Sequence, residues 1–408
     1  MTNRGALRFV LLIFFLALAI RVALLLLAPN FGLLPPMEME RVARSFAEGH
    51  GLANPFATPT GPTAHLLPLY PVVLGSIYKI WGTGSAGILV QGLFSCLLAS
   101  LRCAFLYPLA RLLSLDSRTA ALASILSVLY IPAYATEIRG TWDAPLTAVF
   151  LMGMVCLAIL IARQPKLSVL SAIGCGLYIG VSALLSAVLL ATALGFMAAG
   201  ALRFRRNLRP YFAWCLVCGA IVILCLTPWA LRNRQQLGKT IWLRSNFGFE
   251  LWQAYHEGAG IGALDISAQL GPALNVEISN RVARVGEVAF QASMQRDAVD
   301  WIRTNPAKAA KLFAAHTIYF WFPPGQWLPL QLARRLLTVL AWAGLWILIA
   351  RRSPAGYILA IIWIAFPPIY YVVYWSSRYR YPMEWTLLLA GAVVLSALWS
   401  RYARTENP

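Results

Sequence analysis

Apolar runs of about 20 residues, the length a helix needs to cross a bilayer, recur along the chain between short polar connections. The first covers residues 7–27. Its apolar core is too long for a cleavable signal, and no small-residue cleavage site follows it. Further spans are predicted to start near Ala86, Arg118, Asp143, Leu167, Ser186 and Pro210, and three more near Leu332, Pro354 and Glu384. The pair within 167–202 is the shortest. Residues 69–81 are apolar but too few to cross, so they read as a re-entrant or juxtamembrane helix. The pattern predicts an all-α polytopic membrane protein of about ten transmembrane helices with a small extracytoplasmic helical subdomain. Three regions follow: a transmembrane module, 1–231, with an outer loop at 29–68 and the juxtamembrane element at 69–82; an extracytoplasmic subdomain, 232–330, closing on an aromatic interfacial stretch; and C-terminal helices, 331–408.

Composition agrees. Of 408 residues, 60% are hydrophobic and 12% charged, and the mean hydropathy is +0.67. A soluble domain, a disordered chain and a coiled coil are excluded. The formal charge is +19, from 34 Lys and Arg against 15 Asp and Glu. Because many cations sit between apolar runs, they read as topology signals and contacts to anionic headgroups rather than to nucleic acid. The seven cysteines all lie inside apolar runs. Cys215 and Cys218 form a CxxC within a span, where small helix-packing residues are expected rather than redox or metal chemistry.

Orientation follows from the basic clusters. With Arg4 and Arg8 in the cytoplasm, the connections on that side hold Arg111 and Arg118, Arg163 and Lys166, Arg203 to Arg209, Arg351 and Arg352, and Arg401 and Arg404. Both termini are then cytoplasmic. Of the 15 acids, Asp116 and Glu406 alone fall on that side; the others, with His50, His65, His256 and His316, lie outside or at the outer boundary. Chemistry needing carboxylates or imidazoles therefore belongs on the outer face. No acid is expected in mid-membrane, which argues against an ion-coupled transporter. Arg21, the deepest charge of the first span, can snorkel outward or pair with an acid of the first loop.

Three outer segments carry candidate chemistry. In the first loop, residues 37–48 have helical character with Met39, Val42, Ala43 and Phe46 on one face, stopped by Gly49 and Gly51. Glu38 and Glu40 are two apart and diverge by about 200° around a helix, so they do not form a carboxylate pair; read locally, both are acids at a helix start. In the second connection, Arg139 can pair with Glu137 or Asp143. The long segment from 232 to 311 contains LRSNFGFELW, and its stretch from Asp265 to Asn305 is largely helical by periodicity. It ends in the aromatic stretch 312–330, and Arg334 and Arg335 follow as headgroup contacts. In the last connection, Arg378 and Arg380 flank Tyr379 on the outer side, against the topology rule. A phosphate-bearing ligand or ordinary lipid headgroups account for them.

EMERVARSFAEGHGL, TGPTAHLLPLYPVVLGSIYKIWG, LRSNFGFELW, WIRTNPAKAAKLF and SSRYRYPMEW occur in an order that resembles membrane glycosyltransferases of the GT-C fold. The likeness is to bacterial proteins similar to dolichyl-phosphate-mannose–protein mannosyltransferases and lipid A aminoarabinose transferases (family 39-like), and it extends over most of the chain through loose motifs. It implies an inverting transfer of a sugar from a polyprenyl-phosphate donor to a protein, glycan or lipid acceptor on the outer (periplasmic) face of the cytoplasmic membrane. It implies a first-loop carboxylate, commonly Asp, as general base. Pro35 and Pro36 stand where that Asp is expected; Glu38 is the nearest match and Glu40 the second, with Asp143 a further candidate. Arg378, Arg380, Tyr379 and Arg244 are then expected at the donor phosphate, and Asn246, Glu137, Arg139 and His65 around the substrate. No metal-ligand spacing or nucleotide loop is seen, so no cofactor is expected. A lipid-linked sugar flippase and a silent lipid-binding scaffold remain the alternatives; convergence of Glu38 with the arginines on one outer cavity favours transfer.

Overall fold

The structure is a computed structural model that describes residues 3–28, 35–259, 271–325 and 327–405. The start of the first outer loop, Asp265 with its neighbours and Glu406 lie outside the described residues. Within them the regular secondary structure is helical, apart from an isolated antiparallel bridge between Ala53 and Pro62. Seven described helices are long and apolar enough to cross a membrane: Arg4–Leu27, Ser85–Leu112, Ala144–Arg163, Leu208–Leu237, Leu328–Ala350, Pro354–Val372 and Ser377–Ser400. An eighth crossing results if the bent pair Ser117–Leu129 and Ile131–Arg139 is one span. Its 51° bend falls at Tyr130, two residues before Pro132, whose ring lacks an N–H donor and would clash with the carbonyl four residues back, that of Val128, in a continuous helix. The two shortest predicted spans are apolar helices of 17 residues each, Val169–Leu185 and Ala187–Arg203.

Leu69–Trp81 has 13 residues and rises only about 20 Å, too little to cross. It packs instead on the first-loop helix Glu38–Ala47, which buries Met39, Val42 and Ala43 against it. Gly75 permits the close approach: a Cβ there would lie 2.6 Å from a Phe46 ring carbon and 2.8 Å from the Ala43 carbonyl. Between 232 and 330, the described helices Phe247–Ala254, Val276–Val285, Glu287–Thr304 and Pro306–Trp321 pack in turn, with Glu287–Thr304 against the other three. An apolar cluster joins Phe249, Val282, Phe290 and Met294 of these helices to Phe56 of the first loop. All seven cysteines are free thiols.

The centre of the bundle holds an ion cluster. In the first helix, Ile13, Ala17, Arg21 and Leu25 are all at most 3% exposed, a stripe with i, i+4 spacing that faces inward. Leu7, Leu12, Phe15 and Leu26 are exposed on the remainder. Arg21 therefore does not snorkel, and its partner is not in the first loop. Its Nε donates to Glu137 Oε2 at 2.8 Å. Arg102 Nη2 donates to Glu137 Oε1 at 2.8 Å, and the Tyr381 hydroxyl donates to the same oxygen at 2.9 Å. The Arg21 guanidinium lies over the Tyr134 ring and that of Arg102 over Tyr381. Glu137 is thus a buried acid of the bundle, paired with Arg21 and Arg102 and not with Arg139.

Removing one partner of a buried ion pair leaves an uncompensated charge and costs about 3–5 kcal/mol. Glu137→Leu strands two guanidinium groups. Thermal unfolding of the purified protein in detergent is expected to shift down by many degrees for Glu137→Leu, while exposed Arg139→Ala leaves the midpoint within a degree or two.

Candidate functional site

A polar pocket of about 80 Å³ lies where the first loop, the second connection, the long segment and the last connection meet. Glu38, His65, Asp143, Arg244, Asn246, Arg378 and Tyr379 line it, together with Trp142, Glu250, Ser186 and Tyr370. That volume is a few water molecules' share of the liquid, room for one phosphate-sized group with the rest of a ligand beyond its mouth.

Each side chain arrives by a local cause. Pro35 and Pro36 precede Met37, whose N–H donates to Glu40 Oε2 at 3.0 Å. This closes a reciprocal cap that starts the helix at Glu38. Two residues apart on that helix, the two acids part company. Glu38 faces the pocket, whereas Glu40 caps the helix and accepts from Gln91 Nε2 at 2.9 Å. The same spacing separates Arg378 from Arg380 on the short helix Ser377–Arg380. Arg378 faces the pocket with its guanidinium carbon 3.5 Å from the Trp142 ring centroid. Arg380 turns into the bundle, where it pairs with Glu384 at 3.1 Å and donates to the Trp321 carbonyl at 2.8 Å. Glu137 serves the ion cluster, and Arg139 is exposed, paired with neither Glu137 nor Asp143. Gly140 follows with φ +62°, and a Cβ there would sit 2.9 Å from the Gln91 carbonyl. It turns the chain so that Trp142 and Asp143 enter the pocket.

The His65 and Arg244 segments are held together by one carboxylate. Glu287 Oε1 accepts from the Ala64 N–H at 2.9 Å and the Ser245 hydroxyl at 2.6 Å, and Oε2 accepts from Thr63 Oγ1. Ser245 N–H donates to the Ala64 carbonyl at 2.9 Å. Arg232 clamps the loop further by donating to the carbonyls of Thr63 and Leu52, each at 2.6 Å. These bonds place His65 and Arg244, the next residues along, side by side at the pocket.

Three pocket atoms are buried without a hydrogen-bond partner: Glu38 Oε2, His65 Nδ1 and Arg244 Nε. Burial raises the Glu38 carboxyl above its ordinary value; Arg378 opposes that shift, Glu250 reinforces it and Arg244 opposes it. Burial also raises Asp143, against the pull of Arg244 and Arg378. Burial, then the charges of Arg244 and Arg378, lower His65 to about 3, so its imidazole is neutral. Its ring meets Phe56 edge-on at 4.9 Å.

Glu250 and Trp142 were not singled out from the sequence. Asn246 Nδ2 donates to Glu250 Oε1 at 3.0 Å, and the Tyr379 hydroxyl is 3.4 Å from Oε2. The i, i+4 spacing of Asn246 and Glu250 within LRSNFGFELW is a signal that could have found it. Trp142, one residue before Asp143, offers no comparable signal.

Solved structures of the oligosaccharyltransferase of the archaeon Archaeoglobus fulgidus are similar to this chain in fold. The form complexed with Zn and sulfate matches at TM-score 0.51 and 17% identity, over 96% of this chain and 49% of that one. AglB from the same organism, in complex with an inhibitory peptide and a dolichol-phosphate, matches at 0.52 and 17%, over 98% and 51%. The apo form matches at 0.54 and 15%, over 100% and 52%. The chain shares their GT-C-type fold. It spans about half the length of these enzymes. By sequence, neither a family model nor a curated protein matches it.

Glu287→Ala leaves the Ala64 N–H and two hydroxyls without their acceptor. A buried group left unsatisfied costs about 1–3 kcal/mol, so a lowered thermal midpoint and faster proteolysis within 52–65 are expected. Glu287→Gln, which keeps two acceptor positions at most, is expected to fall between Ala and wild type in the same assay.

Proposed function

We propose that this chain is a glycosyltransferase that moves a sugar from a polyprenyl-phosphate donor to an acceptor at the membrane surface. The observation that carries the reading is the set of three unpartnered buried atoms, an acid, an imidazole and a guanidinium, turned with Arg378 into one small pocket. A buried polar group without a partner is costly, and a ligand bearing both a phosphate and a hydroxyl would satisfy all of them. One structure of similar fold holds a dolichol-phosphate, which supports a lipid phosphate as the donor's leaving group.

In this mechanism Arg378 and Arg244 hold the donor phosphate. Arg378 is stacked on Trp142 and is therefore oriented before any ligand arrives. Glu38 takes the proton of the acceptor hydroxyl as its oxygen attacks the anomeric carbon. The bond from that carbon to the phosphate oxygen breaks on the opposite face, and its electron pair leaves on the lipid phosphate. Inversion follows. The arginines stabilise the charge that grows there. Asn246 and Glu250 face the sugar, Asp143 flanks the cations, and neutral His65 can donate or accept one hydrogen bond. No step is routed through a metal. A flippase would need the arginines but not a raised carboxyl beside them, so the convergence of Glu38 with Arg378 favours transfer. Further parts of the proposal are an outer-face site, cytoplasmic termini, about ten crossings and location in the cytoplasmic membrane.

The test uses purified, lipid-reconstituted protein and a panel of radiolabelled polyprenyl-phosphate sugars. A positioned general base contributes about 10²–10⁴-fold, so Glu38→Gln is expected to lose that much of kcat while donor binding persists. Full activity in Glu38→Gln would overturn the assignment of the base.

Two further outcomes separate the roles. The base must be ionised and its carboxyl is raised, so kcat/KM is expected to climb with pH through an apparent pKa above the ordinary value of about 4.3; that limb disappears in Glu38→Gln. Charge-assisted bonds are worth about 1.5–3 kcal/mol, so Arg378→Ala should weaken donor binding by about 10- to 100-fold. Arg380→Ala should instead lower the thermal midpoint, because it leaves Glu384 buried without its cation.

A further inference from the structure

A second cavity, of about 790 Å³, lies at the other end of the same helices. Ala144–Arg163 begins beside Asp143 in the polar pocket and ends at Arg163 on the rim of this cavity. Ala187–Arg203 likewise begins beside Ser186 in the pocket and ends at Arg203 on the rim. Twenty helical residues rise about 30 Å, the thickness of a bilayer's hydrocarbon. The two sites therefore face opposite leaflets.

The cavity walls are aliphatic, with Leu157, Ala158 and Ile361 among them. One side is an aromatic stack: Phe204 and Tyr211 are 5.2 Å apart at 17°, and Tyr211 and Trp214 are 6.2 Å apart at 13°. Trp214 is locked in place by an Nε1–H bond to Ser171 Oγ at 2.9 Å. Arg163 and Arg203 are exposed, as are Lys166, Arg205, Arg206 and Arg209 at the same end. No acid lines the cavity.

We infer that this cavity binds an anionic phospholipid of the leaflet opposite the polar pocket, its acyl chain between the helices and its phosphate against Arg163 and Arg203. An aliphatic slot ending in aromatics and then guanidinium groups matches a lipid's order of chain, interface and headgroup. The cations distinguish this occupant from the far end of an isoprenoid chain anchored in the polar pocket, which would bring no charge to meet them. The inference is independent of the reaction proposed above.

The test is native mass spectrometry of the full-length protein released from vesicles of equimolar palmitoyl-oleoyl phosphatidylglycerol and phosphatidylcholine, which share the same chains. Wild type is expected to retain phosphatidylglycerol over phosphatidylcholine by about 30-fold, since two cations at a headgroup are worth about 1 kcal/mol each. The double variant Arg163→Ala, Arg203→Ala should retain both equally, and Ala158→Trp, which fills the cavity without changing charge, should retain neither. Equal retention of the two lipids by wild type overturns the proposal and needs no variant to fold. Undiminished phosphatidylglycerol in Ala158→Trp, or its one-for-one displacement by a polyprenyl phosphate, overturns it as well.

Discussion

One carboxylate governs the arrangement of the bundle. Glu137 accepts from Arg21, Arg102 and Tyr381, which lie on the first helix, on the central helix Ser85–Leu112 and at the entry to the last helix. Two guanidinium groups buried at 0–1% exposure would repel each other and neither could be solvated by lipid. A single anion between them makes their burial possible. Its position then dictates others. Glu137 ends the bent pair, so Gly140, Trp142 and Asp143 leave from a fixed point. Tyr381 follows Arg378 and Tyr379 by three and two residues, so the last connection is anchored at its base.

Glu287 does for the loops what Glu137 does for the helices. It gathers Thr63, Ala64 and Ser245 from two segments about 180 residues apart in sequence, and Arg232 joins the same loop from the end of a long helix. Neither carboxylate lines the pocket. Both are fully used in hydrogen bonds and both are remote from the pocket's free volume. The acids that line the pocket are treated differently: Glu38 keeps one oxygen unbonded. A buried carboxylate oxygen left without a partner beside two cations is one that an incoming hydroxyl can satisfy.

Helix starts were legible because long apolar runs with polar ends leave few alternatives. Ser85, Ser117, Val169 and Ala187 begin helices within two residues of their predicted starts, while Leu328 begins one four residues early because Trp327–Pro329 is apolar as well. Side-chain direction was less legible. Glu38 with Glu40, and Arg378 with Arg380, are alike in type and neighbourhood, yet a two-residue step on a helix sends one of each pair to the pocket and the other into the protein. Arg21 was recoverable in principle: Ile13, Ala17, Arg21 and Leu25 form an inward stripe, and a charge on that stripe demands an internal anion. That the anion is Glu137 depends on a bend at Tyr130, ahead of Pro132, whose direction no local pattern states.

The contrast within Ser377–Arg380 shows why fold and site can share four residues. Arg380 is neutralised by Glu384 and fixed by the Trp321 carbonyl, Thr338 and Tyr130. Arg378 has an aromatic face, Trp142, and no carboxylate within salt-bridge distance among the described residues. Apart from one bond from Nη2 to the Tyr379 hydroxyl at 3.3 Å, a cation held by a ring keeps its donors for an anion from outside, because the ring engages the guanidinium face and not its N–H edge. The buried pair next to it holds the backbone that aims that edge. Stability of the last connection and readiness of the pocket therefore come from two arginines of one motif, separated only by which side of a single helical turn each occupies.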